Sequence, residues 1–190
     1  MLPTWDLFIV VFFAIIIAYS FIVGRNATLK IIISSYIAIL TADGLGNILE
    51  RFFLSNANNP SMLNFEVVSQ PDSLIILKIL IFVLSIVLLT VRGNFVVATQ
   101  PEQSWLVRLA VTGTFGFFSA GLIVATILIY ISGDSFVAAT LSTAPGMDIV
   151  SGSTLAQMMT ANYNLWFSLP AIAFVLISLT SLGNSPKNAE

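Results

Sequence analysis

The first apolar run of the chain, Leu7 to Val23, restricts the possible folds more than any other feature. It contains no charged residue, and Gly24 and Arg25 follow it at once. A helix needs roughly 20 largely apolar residues to cross a hydrocarbon core about 30 Å thick. The run is longer than a signal-peptide core and is not followed by a convincing A-x-A cleavage site. We therefore interpret it as a retained first transmembrane helix.

Four further segments of the chain share this apolar character. Of the 190 residues, 57% are hydrophobic and only 8% are charged, whereas about a quarter of the residues of soluble domains are charged. We predict an all-α fold in a single membrane domain, a polytopic bundle of about five transmembrane helices. The predicted spans cover residues 7–23, 29–49, 74–91, 109–131 and 165–182.

The segment 132–163 is neither long nor apolar enough to cross a membrane. It includes a short amphipathic piece at 155–159, and Thr154 with Gln157 fits a capping box at the start of that piece. The segment is an external loop or a re-entrant element, and its pattern does not separate the two. Pro170 is expected to bend the first turns of the fifth span or to mark its start.

The basic residues of the predicted loops indicate the orientation, because short cytoplasmic loops contain an excess of Lys and Arg. They lie between spans one and two, around the link between spans three and four, and in the tail, as Arg25, Lys30, Arg92, Arg108 and Lys187. The opposite side has six acidic and two basic residues. This distribution predicts a multi-pass protein of the cell membrane with its N-terminus outside and its C-terminus in the cytoplasm. Trp105 and Tyr130 are interpreted as aromatic anchors at the two membrane surfaces.

The chain lacks the residues on which most enzyme and metal sites depend. It contains neither Cys nor His, which excludes disulfides, thiolate nucleophiles and nearly all zinc-site chemistry. Because no motif-like cluster of acids is present either, we predict no catalytic residue, no metal, no cofactor and no enzymatic activity. A net charge of −2 with scattered basic residues does not indicate a nucleic-acid partner. The expected partners are the lipid bilayer and either a second copy of the chain or another membrane protein.

The most unusual position is Asp43, which follows an apolar stretch in the second span. Counted from Leu29, it lies about 20 Å into that helix. An ionised carboxylate at such a depth costs several kcal/mol unless it is paired, protonated or exposed to water. Asn47 and Glu50 share its helix face, and Lys78 lies at a comparable depth in span three.

Two interpretations of this polar stripe remain open. In the first, the stripe formed by Asp43, Asn47 and Glu50 meets Lys78 and forms a proton or cation path. In the second, the span ends near Ala42 and the stripe belongs to an interfacial extension of the helix. Lys78 would then extend its ammonium group outward to water.

Small residues recur every four positions in the second and fourth spans, a pattern that lets helix backbones approach closely. The two ridges consist of Ser34, Ala38, Ala42 and Gly46, and of Gly116 and Ala120. They indicate either packing of span two against span four within one chain or a face that binds a second chain.

The inner side of the predicted bundle has a rim of basic residues, Arg25, Lys30, Arg92 and Arg108. In the simpler interpretation these residues only determine the topology of the chain. In the other, they contact the head groups of anionic lipids.

Short motifs near the N-terminus resemble those of a known family. An acidic residue precedes span one in Trp5-Asp6-Leu7, and a basic turn with a glycine follows it in Val23-Gly24-Arg25, with Lys30 close behind. A second span rich in small residues then ends near residues 42–46. In these motifs, and in the coarse layout of the next two spans, the chain resembles the colicin V production protein family of bacterial inner-membrane proteins.

The resemblance covers mainly residues 1–130 and has two departures from the family pattern. Asn26 stands where the basic turn usually has a second glycine, and a fifth span exceeds the usual four. The resemblance implies a bacterial inner-membrane protein linked to envelope physiology and secretion, and it provides no catalytic residue to transfer. We predict a non-enzymatic scaffold or accessory subunit. The alternative is a small channel or transporter component with a proton or cation path near Asp43 and Lys78.

Overall fold

A computed structural model describes residues 5–55, 71–94, 104–132 and 152–182 of the chain. These residues form six α-helices and no strand, which confirms the all-α prediction for the described part of the chain. The helices are α1 (Trp5–Val23), α2 (Arg25–Ser55), α3 (Pro71–Arg92), α4 (Trp105–Ile131), α5 (Thr154–Ala161) and α6 (Tyr163–Leu182).

Four of these helices contain segments that are long and apolar enough to cross a membrane, by length and composition. The segments are Trp5–Val23, Arg25–Leu49, Ile75–Arg92 and Trp105–Ile131. Four such helices in a chain of 190 residues indicate a membrane protein. The fifth predicted span coincides with α6, whose described apolar part, Tyr163–Leu176, is shorter than the other four.

A single residue joins α1 to α2. Gly24 has a φ of 83°, a left-handed conformation that glycine adopts without a steric cost. Its N–H donates to the Ser20 carbonyl oxygen at 2.9 Å, which ends α1. The Thr28 hydroxyl donates to the Gly24 carbonyl oxygen at 3.0 Å. The second helix therefore begins at Arg25, four residues before the predicted start of span two, because the glycine reverses the chain without a loop.

α4 is the central helix of the bundle. In its apolar segment 72% of the residues are buried, compared with 11% in α1 and 6% in α3. Glycines allow its neighbours to approach closely, since a Cβ atom at Gly116 would lie 2.8 Å from the Ser20 side chain of α1. A Cβ atom at Gly121 would lie 2.1 Å from the ring of Trp166 in α6.

Two clusters of buried side chains form around α4. The larger joins α2, α3 and α4 and includes Ile32, Ile39, Phe82, Phe115 and Tyr130. The smaller joins α1, α4 and α5 and includes Ile9, Val124, Leu128, Ala156 and Met159. α2 and α3 are antiparallel, because Lys30 contacts Gly93 at one end of the pair and Lys78 contacts Asn47 at the other.

α5 lies within the segment that was predicted to be a loop or a re-entrant element. Its N-cap is Ser153, whose hydroxyl oxygen accepts a hydrogen bond from the Ala156 N–H at 3.0 Å. The predicted capping box placed the cap one residue later, at Thr154, but only Ser153 has the extended backbone that an N-cap requires. Residues 133–151 of this segment lie outside the described residues.

Candidate functional site

Asp43 lies in the interior of the bundle, and its side chain is 0% exposed. α2 continues without interruption past it to Ser55, and the segment of α2 suited to crossing a membrane ends at Leu49. Asp43 is thus about 9 Å inside the end of that segment. It follows Ile39 by one helical turn, so both residues lie on the face of α2 that contacts α4.

Tyr130 reaches Asp43 from α4. Its hydroxyl donates to the Ile39 carbonyl oxygen at 3.3 Å and also forms a hydrogen bond with the Asp43 carboxylate. Its ring meets that of Phe82 from α3 edge to face, with centroids 5.9 Å apart. Because Tyr130 is only 1% exposed, the interpretation of this residue as an anchor at the membrane surface is wrong. The polar partners on α2 make an interior position possible for its hydroxyl group.

Lys78 lies beside the same polar stripe, near the start of α3. Its Nζ donates to the Asn47 Oδ1 at 3.3 Å. Its methylene carbons cover Gly46, where a Cβ atom would lie 2.7 Å from them. The structure thus places Lys78 against the polar stripe one helical turn beyond Asp43. The side chain of Glu50, the last predicted member of the stripe, lies outside the described residues.

These polar groups link three helices in the interior of the bundle. A carboxylate, a phenol and an ammonium group are able to exchange protons where water reaches them, and a carboxylate is also able to hold a cation. Asp43 has no exposed surface, and its neighbours Ile39, Ala42 and Phe82 are buried apolar residues. Within the described ranges, no group of three His, Cys, Asp or Glu residues is placed to hold a metal ion. The arrangement is therefore chemically suited to joining α2, α3 and α4.

The four basic residues of the predicted inner rim occupy different environments. Lys30 is half-buried, and its Nζ donates to the Gly93 carbonyl oxygen at 2.6 Å. A positive charge is favourable there, because the C-terminal end of α3 carries a partial negative charge. Arg25 is half-buried at the start of α2, whereas Arg92 and Arg108 are exposed on α3 and α4. Lys30 thus takes part in packing, while Arg92 and Arg108 are exposed, and their contact with lipid head groups stays a prediction.

The two ridges of small residues are buried within the single chain, at Ser34, Ala38, Ala42, Gly46, Gly116 and Ala120. Gly46 lies against Lys78 of α3, and Gly116 lies against Ser20 of α1. α2 packs against α4 within the chain, as the first interpretation predicts, although at these two glycines the ridges face α3 and α1. The reason is the central position of α4, which contacts helices on several sides.

A second polar contact connects the start of α1 to the start of α5. The Asp6 Oδ1 accepts hydrogen bonds from the Leu155 N–H at 3.0 Å and from the Ser153 hydroxyl. A carboxylate is favourable at this place, because the N-terminus of a helix carries a partial positive charge. Asp6 and Ser153 are 147 positions apart, so no local sequence signal could have indicated the contact.

Tyr36 of α2 connects to α6 beside Pro170. A proline has no N–H, so it interrupts the hydrogen-bond pattern of the helix around it. The Tyr36 hydroxyl donates to the Phe167 carbonyl oxygen and accepts a hydrogen bond from the Ala171 N–H. Pro170 is buried and lies inside α6, not at its start. Tyr36 therefore fixes α6 at the point where its own backbone bonding is weakest.

A cavity of about 530 Å³ lies between α1, α4, α5 and α6. One wall consists of the rings of Phe13, Phe117 and Trp166, whose centroids are 5.4 to 5.9 Å apart. Met158 and Asn162 are among the residues that line it from α5 and its C-terminal end. Among the described residues that line the cavity, Asn162 is the one polar residue and none is charged.

Of the four residues predicted for the polar stripe, the structure places Asp43 against α4, and Asn47 one turn further along α2 against Lys78 of α3. It adds Tyr130, which sequence reasoning missed as a member of the site. A tyrosine at the end of an apolar run is equally typical of a membrane surface and of a buried hydrogen bond. No protein-family model, no curated protein and no solved structure matches the chain.

Proposed function

We propose that the chain is a non-enzymatic integral membrane scaffold or accessory subunit. The observation that supports this most is the burial of Asp43 and its hydrogen bond to Tyr130. Groups that conduct ions or protons line a water-filled route. Here the polar side chains meet a neighbouring helix, and the cavity between α1, α4, α5 and α6 is lined almost wholly by apolar residues. The polar groups act in this proposal as links between helices.

The proposal places the chain in the bacterial inner membrane, with five spans and the N-terminus outside. The support is the distribution of basic residues along the sequence and the resemblance of residues 1–130 to the colicin V production protein family. The partner is a second copy of the chain or another membrane protein. In the apolar segment of α3 only 6% of the residues are buried, so this helix has a broad apolar surface toward lipid or a partner.

The second candidate is a small channel or transporter component with a proton or cation path at Asp43 and Lys78. The observation that favours it is the position of an ionisable side chain inside a segment suited to crossing a membrane. Such residues most often mark functional sites.

Flux measurements in proteoliposomes separate the two candidates. We expect proton and cation flux through the purified wild-type chain to equal that of empty vesicles, because Asp43 has no access to water. We also expect Asp43→Asn to lower the thermal stability, since it weakens the link to Tyr130. The matched control is Asp148→Asn in the predicted external segment. Flux that disappears in Asp43→Asn and persists in Asp148→Asn would rule out a pure scaffold.

The assembly state is tested by light scattering during size-exclusion chromatography in mild detergent. The scaffold proposal expects a mass above that of one chain, or a stoichiometric second membrane protein in the same peak. A single chain that elutes alone at every detergent concentration would contradict it.

A further inference from the structure

The cavity between α1, α4, α5 and α6 has the size of a ligand site. Its volume of about 530 Å³ falls within the roughly 300 to 1,000 Å³ of pockets that enclose small molecules. On α6 it extends from Leu165, near the start of the helix, to Leu169. With Asn162 included, it covers about 10 Å along the axis of the bundle.

The lining predicts the chemistry of the occupant. A wall of three aromatic rings faces methionine and aliphatic side chains, and no described lining residue is charged. An ionic or strongly polar occupant would lose its hydration there without receiving new partners. A hydrocarbon chain has no polar group whose hydration would be lost, and the flexible side chain of methionine adapts its shape to such an occupant.

The cavity opens toward the surroundings of the bundle. Val10, Met158 and Leu165 line it and are still 54%, 65% and 55% exposed. Because α1 and α4 are suited to crossing a membrane, the medium outside this opening is lipid. The hydrocarbon chain of a lipid therefore enters the cavity sideways from the bilayer.

A second copy of the chain is a poor occupant of this cavity. In a symmetric dimer the same surface of each copy meets across the axis. Two concave surfaces placed face to face leave a void between them, and a void costs the packing contacts of the residues around it.

Among the described residues that line the cavity, the polar side chain lies at one end. Asn162 is at the end where α6 begins, and its Nδ2 donates to the Met158 carbonyl oxygen at 2.9 Å. The Asp6 carboxylate contacts the backbone of Leu155, a lining residue at the start of α5. An amide is a suitable partner for the ester group of a lipid. A fixed carboxylate nearby repels an anionic head group.

We propose that this cavity binds one hydrocarbon chain of a net-neutral membrane phospholipid, with the ester beside Asn162 and the chain along Trp166 toward Leu169. The head group then lies near Asp6. This inference depends on the membrane location of the protein and not on its proposed role as a scaffold.

Quenching of Trp166 fluorescence by phospholipids with brominated chains tests the proposal. The full-length chain carries Trp5→Phe and Trp105→Phe, so that Trp166 is the one remaining tryptophan. In mixed micelles we expect quenching by brominated phosphatidylcholine to saturate at about one lipid per chain, as a single site requires.

Variants that fill the cavity provide the contrast. Val10→Phe and Met158→Phe add aromatic volume at exposed lining positions, and we expect the double variant to bind the brominated lipid at least about tenfold more weakly. The matched control is Val83→Phe on α3, which is 45% exposed and does not line the cavity. Phosphorus analysis of the purified chain, which needs no tryptophan reporter, should show bound phospholipid in the control and a loss in the double variant.

Three results would overturn the proposal. Quenching that follows the bulk lipid fraction without saturation, and equally in all variants, means ordinary lipid contact. Equal or tighter binding of brominated phosphatidylglycerol contradicts the net-neutral head group. A fall in the mass of the assembly in the double variant, with unchanged bound phospholipid, assigns the cavity to a protein contact. Circular dichroism of each variant identifies one that fails to fold, in which case Leu165→Phe replaces it.

Discussion

At the scale of single residues, Tyr130 shows how one hydroxyl group determines where a side chain lies. A tyrosine ring is largely apolar, and its hydroxyl requires a hydrogen-bond partner when it is buried. Asp43 and the Ile39 carbonyl oxygen provide these partners on α2. The ring then fills the space beside Phe82 and becomes part of the larger core cluster. A residue typical of membrane surfaces thus contributes to the interior.

We predict that Tyr130→Phe destabilises the bundle by about 1 to 3 kcal/mol, because a buried carboxylate loses a hydrogen bond while the packing of the ring is retained. The measurement is unfolding in detergent, followed by circular dichroism. Tyr19→Phe is the matched control, since Tyr19 is 45% exposed on α1. Equal stability of the two variants would show that the contact between Tyr130 and Asp43 contributes little.

At the scale of the helices, three glycines have different surroundings. A Cβ atom at Gly44 would have no neighbour within 4 Å, whereas one at Gly46 would meet the flexible methylene carbons of Lys78. One at Gly121 would meet the ring of Trp166. Close helix packing therefore requires glycine at Gly121, tolerates a small adjustment at Gly46 and does not require glycine at Gly44.

Alanine substitutions at these three positions should change the stability of the bundle in different directions. Gly44→Ala is expected to stabilise α2 by up to about 1 kcal/mol through helix propensity. Gly121→Ala is expected to destabilise by about 1 to 3 kcal/mol, because a rigid ring must move. Gly46→Ala should lie between them, since Lys78 can shift at the cost of its bond to Asn47. Thermal unfolding of the three variants measures this order, and a destabilised Gly44→Ala would contradict it.

The helices themselves follow closely from the sequence. The predicted spans 7–23, 74–91 and 109–131 correspond to α1, α3 and α4 with differences of a few residues at their ends. The predicted starts of α2 and α5 were wrong because the backbone of a single residue determines each of them. Gly24 joins two helices directly, and Ser153 caps α5 one residue before the predicted position. Hydrophobic runs identify the helices, whereas the backbone geometry of single residues determines where they begin.

At the scale of the whole molecule, the helices differ widely in burial. α4 is surrounded by the other helices, while α1 and α3 have large exposed apolar surfaces. In a membrane such surfaces meet lipid at little cost, because lipid chains are as apolar as the side chains. The number of crossings then depends on α6, the helix whose described apolar part is shortest.

Cysteine labelling tests whether α6 crosses the membrane, and the chain has no native cysteine to interfere. With five spans, Ser61→Cys in the second predicted loop is outside and Ser185→Cys in the tail is inside. We therefore expect a membrane-impermeant maleimide to label Ser61→Cys in intact cells and Ser185→Cys only after permeabilisation. Labelling of both variants in intact cells, with cytoplasmic proteins unlabelled, would mean that one of the last three spans does not cross.

The sequence is enough to predict the membrane class, the all-α fold and the unusual position of Asp43, because these depend on the run lengths and polarity of neighbouring residues. It also correctly indicated that Lys78 lies near the polar stripe, since equal depth in adjacent antiparallel helices follows from counting residues. Three contacts could not be predicted from the sequence: Tyr130 with Asp43, Asp6 with the start of α5, and Tyr36 with α6 beside Pro170. These contacts depend on which helices are neighbours and on their rotation about their axes. Helices that are apolar on nearly every face, such as α1 and α6, have almost no sequence pattern that indicates their neighbours or their rotation.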